Sequence, residues 1–266
     1  LRVFHASTSY LLGLFPNKYK IDFSKMNYKS LLSFLLSLIF FACSPSPEKQ
    51  AQELIKKSIE AHQLSKKWDK VSNIKFKKWT RLLNESGEIE SESEQWVEFR
   101  LKPYFEAKLT WTKDSLFHVV NFNGRRTSYQ MENTIENEGF LKAKRAEIEA
   151  AYLAFAQPWK LIEENADLTY EGEKTLDDGK SVESIRVNYG PDTDVWWFYL
   201  DPISAKVVAN ELHAKDHKSL IETVSYDEST GLILAKERKS FRIDDAGKQL
   251  FLQAEYLYSD YQVTFE

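Results

Sequence analysis

Polar and apolar residues alternate with a period of two over much of this chain. Phe105, Ala107, Leu109 and Trp111 alternate with Glu106, Lys108, Thr110 and Thr112, the pattern of a strand with one dry and one wet face. Val97, Phe99 and Leu101 do the same just upstream, with Pro103 in the connection. Similar runs cover residues 116–122, 185–189, 195–200 and 250–258, the last carrying on through Tyr261, Val263 and Phe265. Turn chemistry stands between them: Glu85-Ser86-Gly87, Asn123-Gly124, Asp177-Asp178-Gly179 and Asp244-Asp245-Ala246-Gly247. The pattern predicts about eleven short strands.

Two segments break it. In residues 48–67, Ala51, Leu54, Ile55, Ser58, Ile59 and His62 fall at three- and four-residue spacing, and Glu48 suits a helix N-terminus. Residues 141–156 place Leu141, Ile148, Ala151, Tyr152 and Phe155 on one helical face, and Pro158 ends the run. The predicted order is helix, about five strands, helix, then six or seven strands. Many half-dry strands with only two helices to cover them predict an α+β, mainly β fold. A strongly curved antiparallel sheet would form an incomplete barrel, with the helices covering its opening. Residues 48–266 carry no linker or internal repeat and read as one domain.

The segment before this domain has a different character. Met26-Asn27-Tyr28-Lys29 is a short basic start, residues 31–41 are apolar apart from Ser33 and Ser37, and Ala42-Cys43 follow. That is the layout of a signal peptide, and it is shorter than the roughly 20 apolar residues a spanning helix needs. Cys43, the only cysteine, stands directly after the small residue and resembles the lipobox cysteine of bacterial lipoproteins, with Phe40 and Phe41 where that pattern carries leucine and a small residue. The resemblance implies a signal peptide over residues 26–42, a diacylglycerol-bearing Cys43 with a tether through residue 47, and residues 1–25 as an upstream extension outside the mature chain.

Composition narrows the function. The chain has 266 residues, with 36 Lys and Arg against 40 Asp and Glu, and 42% are hydrophobic. That excludes a disordered or polytopic membrane chain, and an acidic balance does not suit general binding of nucleic acid. Without residues 1–42 the chain loses five of its 36 basic side chains and one of its 40 acidic ones, so a net charge of −4 becomes −8. A single cysteine rules out an internal disulfide.

From Glu48 to the end, the order of elements resembles the LolA-like superfamily of periplasmic lipoprotein carriers and lipid-binding half-barrels. Trp196-Trp197-Phe198-Tyr199-Leu200-Asp201-Pro202 resembles its aromatic strand and Asp-Pro turn, and Tyr226-Asp227-Glu228-Ser229-Thr230-Gly231-Leu232 its later turn. Gln157-Pro158-Trp159-Lys160-Leu161, followed by Tyr170-Glu171-Gly172, is similar to a Gram-negative lipoprotein branch of that group. The resemblance implies an apolar cavity that binds or transfers a lipid or lipoprotein acyl chains. It also implies an envelope location, on the periplasmic face of the outer membrane and anchored to it through the lipidated cysteine. The second reading is a non-catalytic scaffold or protein-interaction module whose core is filled by its own side chains.

Candidate chemistry is sparse. Trp79, Phe105, Leu109, Trp111, Trp196 and Phe198 are candidates to line the cavity, although such residues more often form plain core. Both faces of residues 195–200 are aromatic, which predicts a strand covered on both sides by a rim helix or a bound apolar molecule. Lys75, Lys77, Lys78 and Arg81 read as an edge strand guarded by cations. His213, Asp216 and His217 cluster, but they read as a strand end and loop without the spacing of a metal site. Asp192 and Asp194 after Gly190-Pro191 read as a polar turn. No nucleophile elbow or phosphate loop is present, and the resemblance carries no catalytic residue and no cofactor onto the chain.

Overall fold

The computed structural model describes residues 45–131, 138–163, 166–191 and 193–266. Residues 1–25, the signal-peptide segment, Cys43 and Asp192 lie outside the described residues. The first helix, α1 (Pro47–Ala61), starts where local chemistry dictates: Pro47 occupies the first turn, and the Lys49 backbone N–H donates to Ser46 Oγ at 3.3 Å. Its apolar face runs on toward residue 67 in sequence, yet the helix stops at Ala61. The backbone N–H groups of Ser65 and Lys66 donate to the carbonyl of Gly231 instead, each at 3.2 Å. Gly231 has φ +87°, and a Cβ there would lie 2.8 Å from atoms of Ser65 and Lys66, so only glycine allows this approach. A single 3₁₀ turn (Trp68–Lys70) then feeds the sheet.

Twelve strands among the described residues form one antiparallel sheet. The first meander is β1 (Val71–Leu83), β2 (Ile89–Arg100), β3 (Glu106–Lys113), β4 (Leu116–Phe122) and β5 (Thr127–Gln130). Helices α2 (Glu138–Phe155) and α3 (Lys160–Glu163) follow. The second meander is β6 (Asp167–Thr175), β7 (Ser181–Asn188), β8 (Val195–Leu200), β9 (Val207–His213), β10 (Lys218–Asp227), β11 (Leu234–Ile243) and β12 (Gln249–Phe265). Hydrogen-bonded order runs β5-β4-β3-β2-β1-β12-β11-β10-β9-β8-β7-β6, so the sheet stays open with β5 and β6 at its edges. This is the incomplete barrel the alternation predicts.

The pairing of β1 with β12, Val71 opposite Phe265 through Leu82 opposite Ala254, joins the two meanders. It corrects the reading of Lys75, Lys77, Lys78 and Arg81 as an edge strand. β1 lies inside the sheet, and its cations answer charges on both neighbours: Lys75 meets Glu98 at 3.0 Å, while Arg81 meets Glu92 at 2.7 Å and Glu255 at 3.2 Å.

Each helix covers one half of the concave face. Ile148 and Phe155 of α2 pack on Phe76, Val97, Phe99, Leu109 and Val120. Ala51 and Ile55 of α1, with Leu161, pack on Ile185, Val187, Phe198, Leu200 and Val207. A third cluster buries the opposite face of β7–β10: Val182, Tyr199, Ala209 and Leu220, closed by Leu176 and Ile243. β8 is therefore covered on both sides, as its aromatic residues predict. The outer cover comes from the β6–β7 and β11–β12 hairpin ends, whose tips meet where the Gln249 N–H donates to Asp177 Oδ2 at 3.3 Å. No helix among the described residues is long and apolar enough to cross a membrane.

Candidate functional site

The half-barrel's hollow is filled largely from within. Beneath α2, Phe76 stacks on Phe155 with ring centroids 5.0 Å apart, and Phe99 meets Tyr152 at 5.3 Å. Beside this plug a cleft of about 980 Å³ stays open between the Trp68–Val71 turn, the connection after β2, the outer side of α2 and the β7–β8 loop. Such a volume falls at the upper end for small-molecule sites, about 300–1,000 Å³. Its wall is apolar: Trp68, Val71, Leu101, Phe105, Tyr152, Leu153 and Trp196. Asp69, Lys102, Arg145, Glu149, Lys160 and Asp194 give it a charged rim.

Rigid packing fixes the wall. Trp68 stacks on Trp159 at 4.4 Å with 6° between the planes, and its backbone N–H donates to Gln63 Oε1 at 3.0 Å. Phe105 lies 4.7 Å from Tyr152 and 5.8 Å from Phe99, centroid to centroid. On α2, Arg145 Nε donates to Glu149 at 2.6 Å while its guanidinium sits 3.4 Å above the Phe122 ring. The Lys102 ammonium donates to the backbone oxygen of Asp69 at 2.6 Å.

Of the six candidate lining residues, the fold brings Phe105 and Trp196 to this cleft. Leu109 and Phe198 sit in the two concave cores. Trp111 stacks on His118 at 4.9 Å, with the Lys144 ammonium 5.4 Å from its ring. Trp79 alternates with the core-facing Phe76 and so lies on the outer face, with the Arg81 guanidinium 4.8 Å from its ring. Trp68 and Tyr152 complete the wall without having been among the lining candidates, Tyr152 being read only as part of an apolar helix face. The role of Trp68 depends on the 3₁₀ turn that aims it back at Trp159, and no periodicity announces such a turn.

Two buried polar groups hold the frame behind the cleft. His62, at the end of α1, accepts the Val207 N–H through Nε2 at 3.1 Å and donates from Nδ1 to the Ile233 carbonyl at 2.8 Å. Burial pushes its imidazole pKa down to about 4, with Lys206 adding to the effect, so the ring is neutral. Arg238 of β11 donates to Asn210 Oδ1 at 2.5 Å and to the Ala154 carbonyl near the C-terminus of α2 at 3.3 Å. That helix end carries partial negative charge and offsets the buried guanidinium.

The histidine cluster resolves into separate pairs. His213 Nε2 meets Glu211 Oε1 at 2.6 Å, whereas His217 Nδ1 meets Asp216 at 2.6 Å in the β9–β10 hairpin. Burial pushes the Glu211 carboxyl up, but hydrogen bonds from Tyr199, Lys174 and His213 outweigh it and hold it below the ordinary value. Among the described residues no group of three or more His, Cys, Asp or Glu is placed to hold a metal ion.

Comparison with known proteins places the architecture. No family model matches the sequence, and no curated protein does. Solved structures match the fold. The LolA superfamily protein NE2245 from Nitrosomonas europaea superposes with a TM-score of 0.51 at 9% identity, over 80% of this chain and 93% of that one. An outer membrane lipoprotein-sorting protein domain from Vibrio parahaemolyticus gives 0.48 at 9% identity, over 80% and 93%. A DUF1329 family protein from Desulfovibrio piger gives 0.45 at 8%, over 82% and 94%. The chain has a LolA-like half-barrel fold, and at these identities the likeness is one of fold.

Proposed function

We propose that this chain is an envelope lipoprotein that binds a hydrophobic or amphipathic ligand, a lipid or lipoprotein acyl chain, without a covalent step. The observation that carries this reading is the open cleft of about 980 Å³, whose wall is aromatic and aliphatic and whose rim is charged. An acyl chain against that wall gains roughly 25 cal/mol for each Å² of apolar area removed from water. Phe105 and Trp196 are the candidate lining residues that would touch it. An indole presents about 150–250 Å² of contact area, so Trp196→Ala should weaken binding of a fluorescent fatty acid at least about tenfold. Titration of the dye by fluorescence is the measurement, and unchanged affinity in the variant would overturn the assignment of Trp196.

Cys43 would be the anchor, acylated and held in the outer membrane with the domain on the periplasmic side. Several acyl chains on one residue at about 0.8 kcal/mol per buried methylene make a durable attachment. Cys43→Ser should move the protein from the membrane to the soluble fraction on cell fractionation. Retention of the variant in membranes would contradict the anchor.

A second reading is a scaffold that acts by protein contact. It is favoured by the hollow itself, which is occupied by Phe155, Ile148 and Tyr152 of α2. Native mass spectrometry of protein purified from membranes separates the two: co-bound lipid supports the binder, and a clean apo mass together with no dye uptake supports the scaffold.

A further inference from the structure

The rim of the cleft carries both signs of charge, and only part of it cancels. Arg145 and Glu149 neutralise each other at 2.6 Å along α2. Lys102 differs: its ammonium is held at 2.6 Å by the backbone oxygen of Asp69, and among the described residues no carboxylate pairs with it. The carboxylates of Asp69 and Asp194, both exposed in the cleft, likewise pair with no cation among the described residues. Asp69 directly follows Trp68, and Asp194 stands two residues before Trp196, so each acid accompanies an indole of the wall.

A plain acyl chain would leave these three charges unused. An anionic head group would gain Lys102 and face Lys160, whose ammonium lies 5.3 Å from the Tyr152 ring, but would also face two carboxylates. A head group with both an anion and an ammonium satisfies all of them, because charge-assisted hydrogen bonds serve each end and indole faces attract a cation. We propose that the cleft takes a zwitterionic amphiphile of the aminophospholipid class, its phosphate on Lys102, its primary ammonium on the carboxylates of Asp69 and Asp194, and its tail along the aromatic wall. The proposal rests on the reading of the cleft as a lipid site and adds the identity of the head group.

Titration calorimetry of the full chain with four probes tests it: palmitoyl lysophosphatidylethanolamine, palmitoyl lysophosphatidylglycerol, palmitate and free phosphoethanolamine. The ethanolamine lipid should bind about tenfold tighter than the glycerol lipid, whose head group carries hydroxyls in place of the ammonium and so brings a net negative charge to the two carboxylates. Asp69→Asn with Asp194→Asn should abolish that preference, weakening the ethanolamine lipid and relieving the repulsion on the glycerol lipid. Lys102→Gln should weaken both phospholipids by about tenfold, since each places its phosphate on that ammonium. Equal affinity for the two phospholipids in the unaltered chain, or a preference that survives the double substitution, would overturn the head-group assignment while leaving a lipid site standing. Free phosphoethanolamine binding as tightly as its lipid would remove the role of the wall. If the folded chain binds none of the three lipids, the lipid site falls, and the head-group proposal with it.

Discussion

Replacing Phe76 by alanine is expected to lower the unfolding free energy by about 4 kcal/mol, near the middle of the range for a buried phenylalanine. Phe76 is among the largest fully buried side chains. Its ring contacts Phe155 of α2 at 5.0 Å, Tyr261 at 5.4 Å, Tyr258 at 6.0 Å and Phe99 at 6.1 Å. It is thus the residue through which α2, β1, β2 and β12 share one core. Neighbouring rings cannot all collapse into the gap, so a cavity term adds to the lost transfer energy. Urea unfolding monitored by tryptophan fluorescence measures the loss. A cost below about 1 kcal/mol would mean that α2 is not seated on β1 as described.

The second large effect depends on pH. The His62 imidazole, whose ordinary pKa is 6.5, is held at about 4 in the fold, chiefly by burial. Between those values the unfolded chain binds a proton that the folded chain refuses, so stability is fully present above pH 6.5 and falls as pH drops toward 4. Two and a half pH units at 1.36 kcal/mol each give a loss of about 3 kcal/mol across this window. His62→Ala should cost a similar amount, about 3 kcal/mol at pH 7, because the buried Val207 N–H and Ile233 carbonyl would each lose a partner. Chemical denaturation at pH 7 and pH 4.5 on both proteins is the check. The variant should be less stable at pH 7 and lose less on acidification than the parent. Parallel losses in the two would assign the acid sensitivity to other groups.

The consequence is architectural. α1 has no disulfide or covalent tie to the second meander. Beyond the packing of Ala51 and Ile55 on β7–β9, its polar tie is one neutral imidazole bridging β9 and the turn before β11, with the His62 carbonyl accepting the Ile233 N–H at 2.8 Å and the Gly231 carbonyl receiving two backbone donors. The apolar spacing over residues 48–67 includes His62 as a core-facing position. It cannot reveal that the ring accepts the backbone N–H of Val207, 145 residues away.

How legible each element is depends on how local its cause is. β3 reads correctly from Glu106 to Thr112, with Phe105 just before it, because alternation is a property of consecutive residues. The aromatic run in β8 announces two buried faces, and the structure buries Phe198 and Tyr199 on opposite sides of it. The cleft is less legible. Phe105 and Trp196 can be picked out as bulky strand residues, but Trp79 and Trp111 have the same appearance and lie elsewhere. What distinguishes them is which strand lies next to which, and on which side of a helix each falls.

By itself the sequence determined the class of fold, the order of helices and strands, the turns between them and the dry face of most strands. Each of these follows from steric and hydrophobic preferences acting within a few residues. Only the tertiary structure decided that β1 lies inside the sheet rather than at its edge, that hairpin tips close the outer core, and that α2 fills the hollow and leaves the open space beside it. Those features come from contacts such as Val71 with Phe265, which close loops of nearly the whole domain. Their stability comes from packing that no local window of sequence contains.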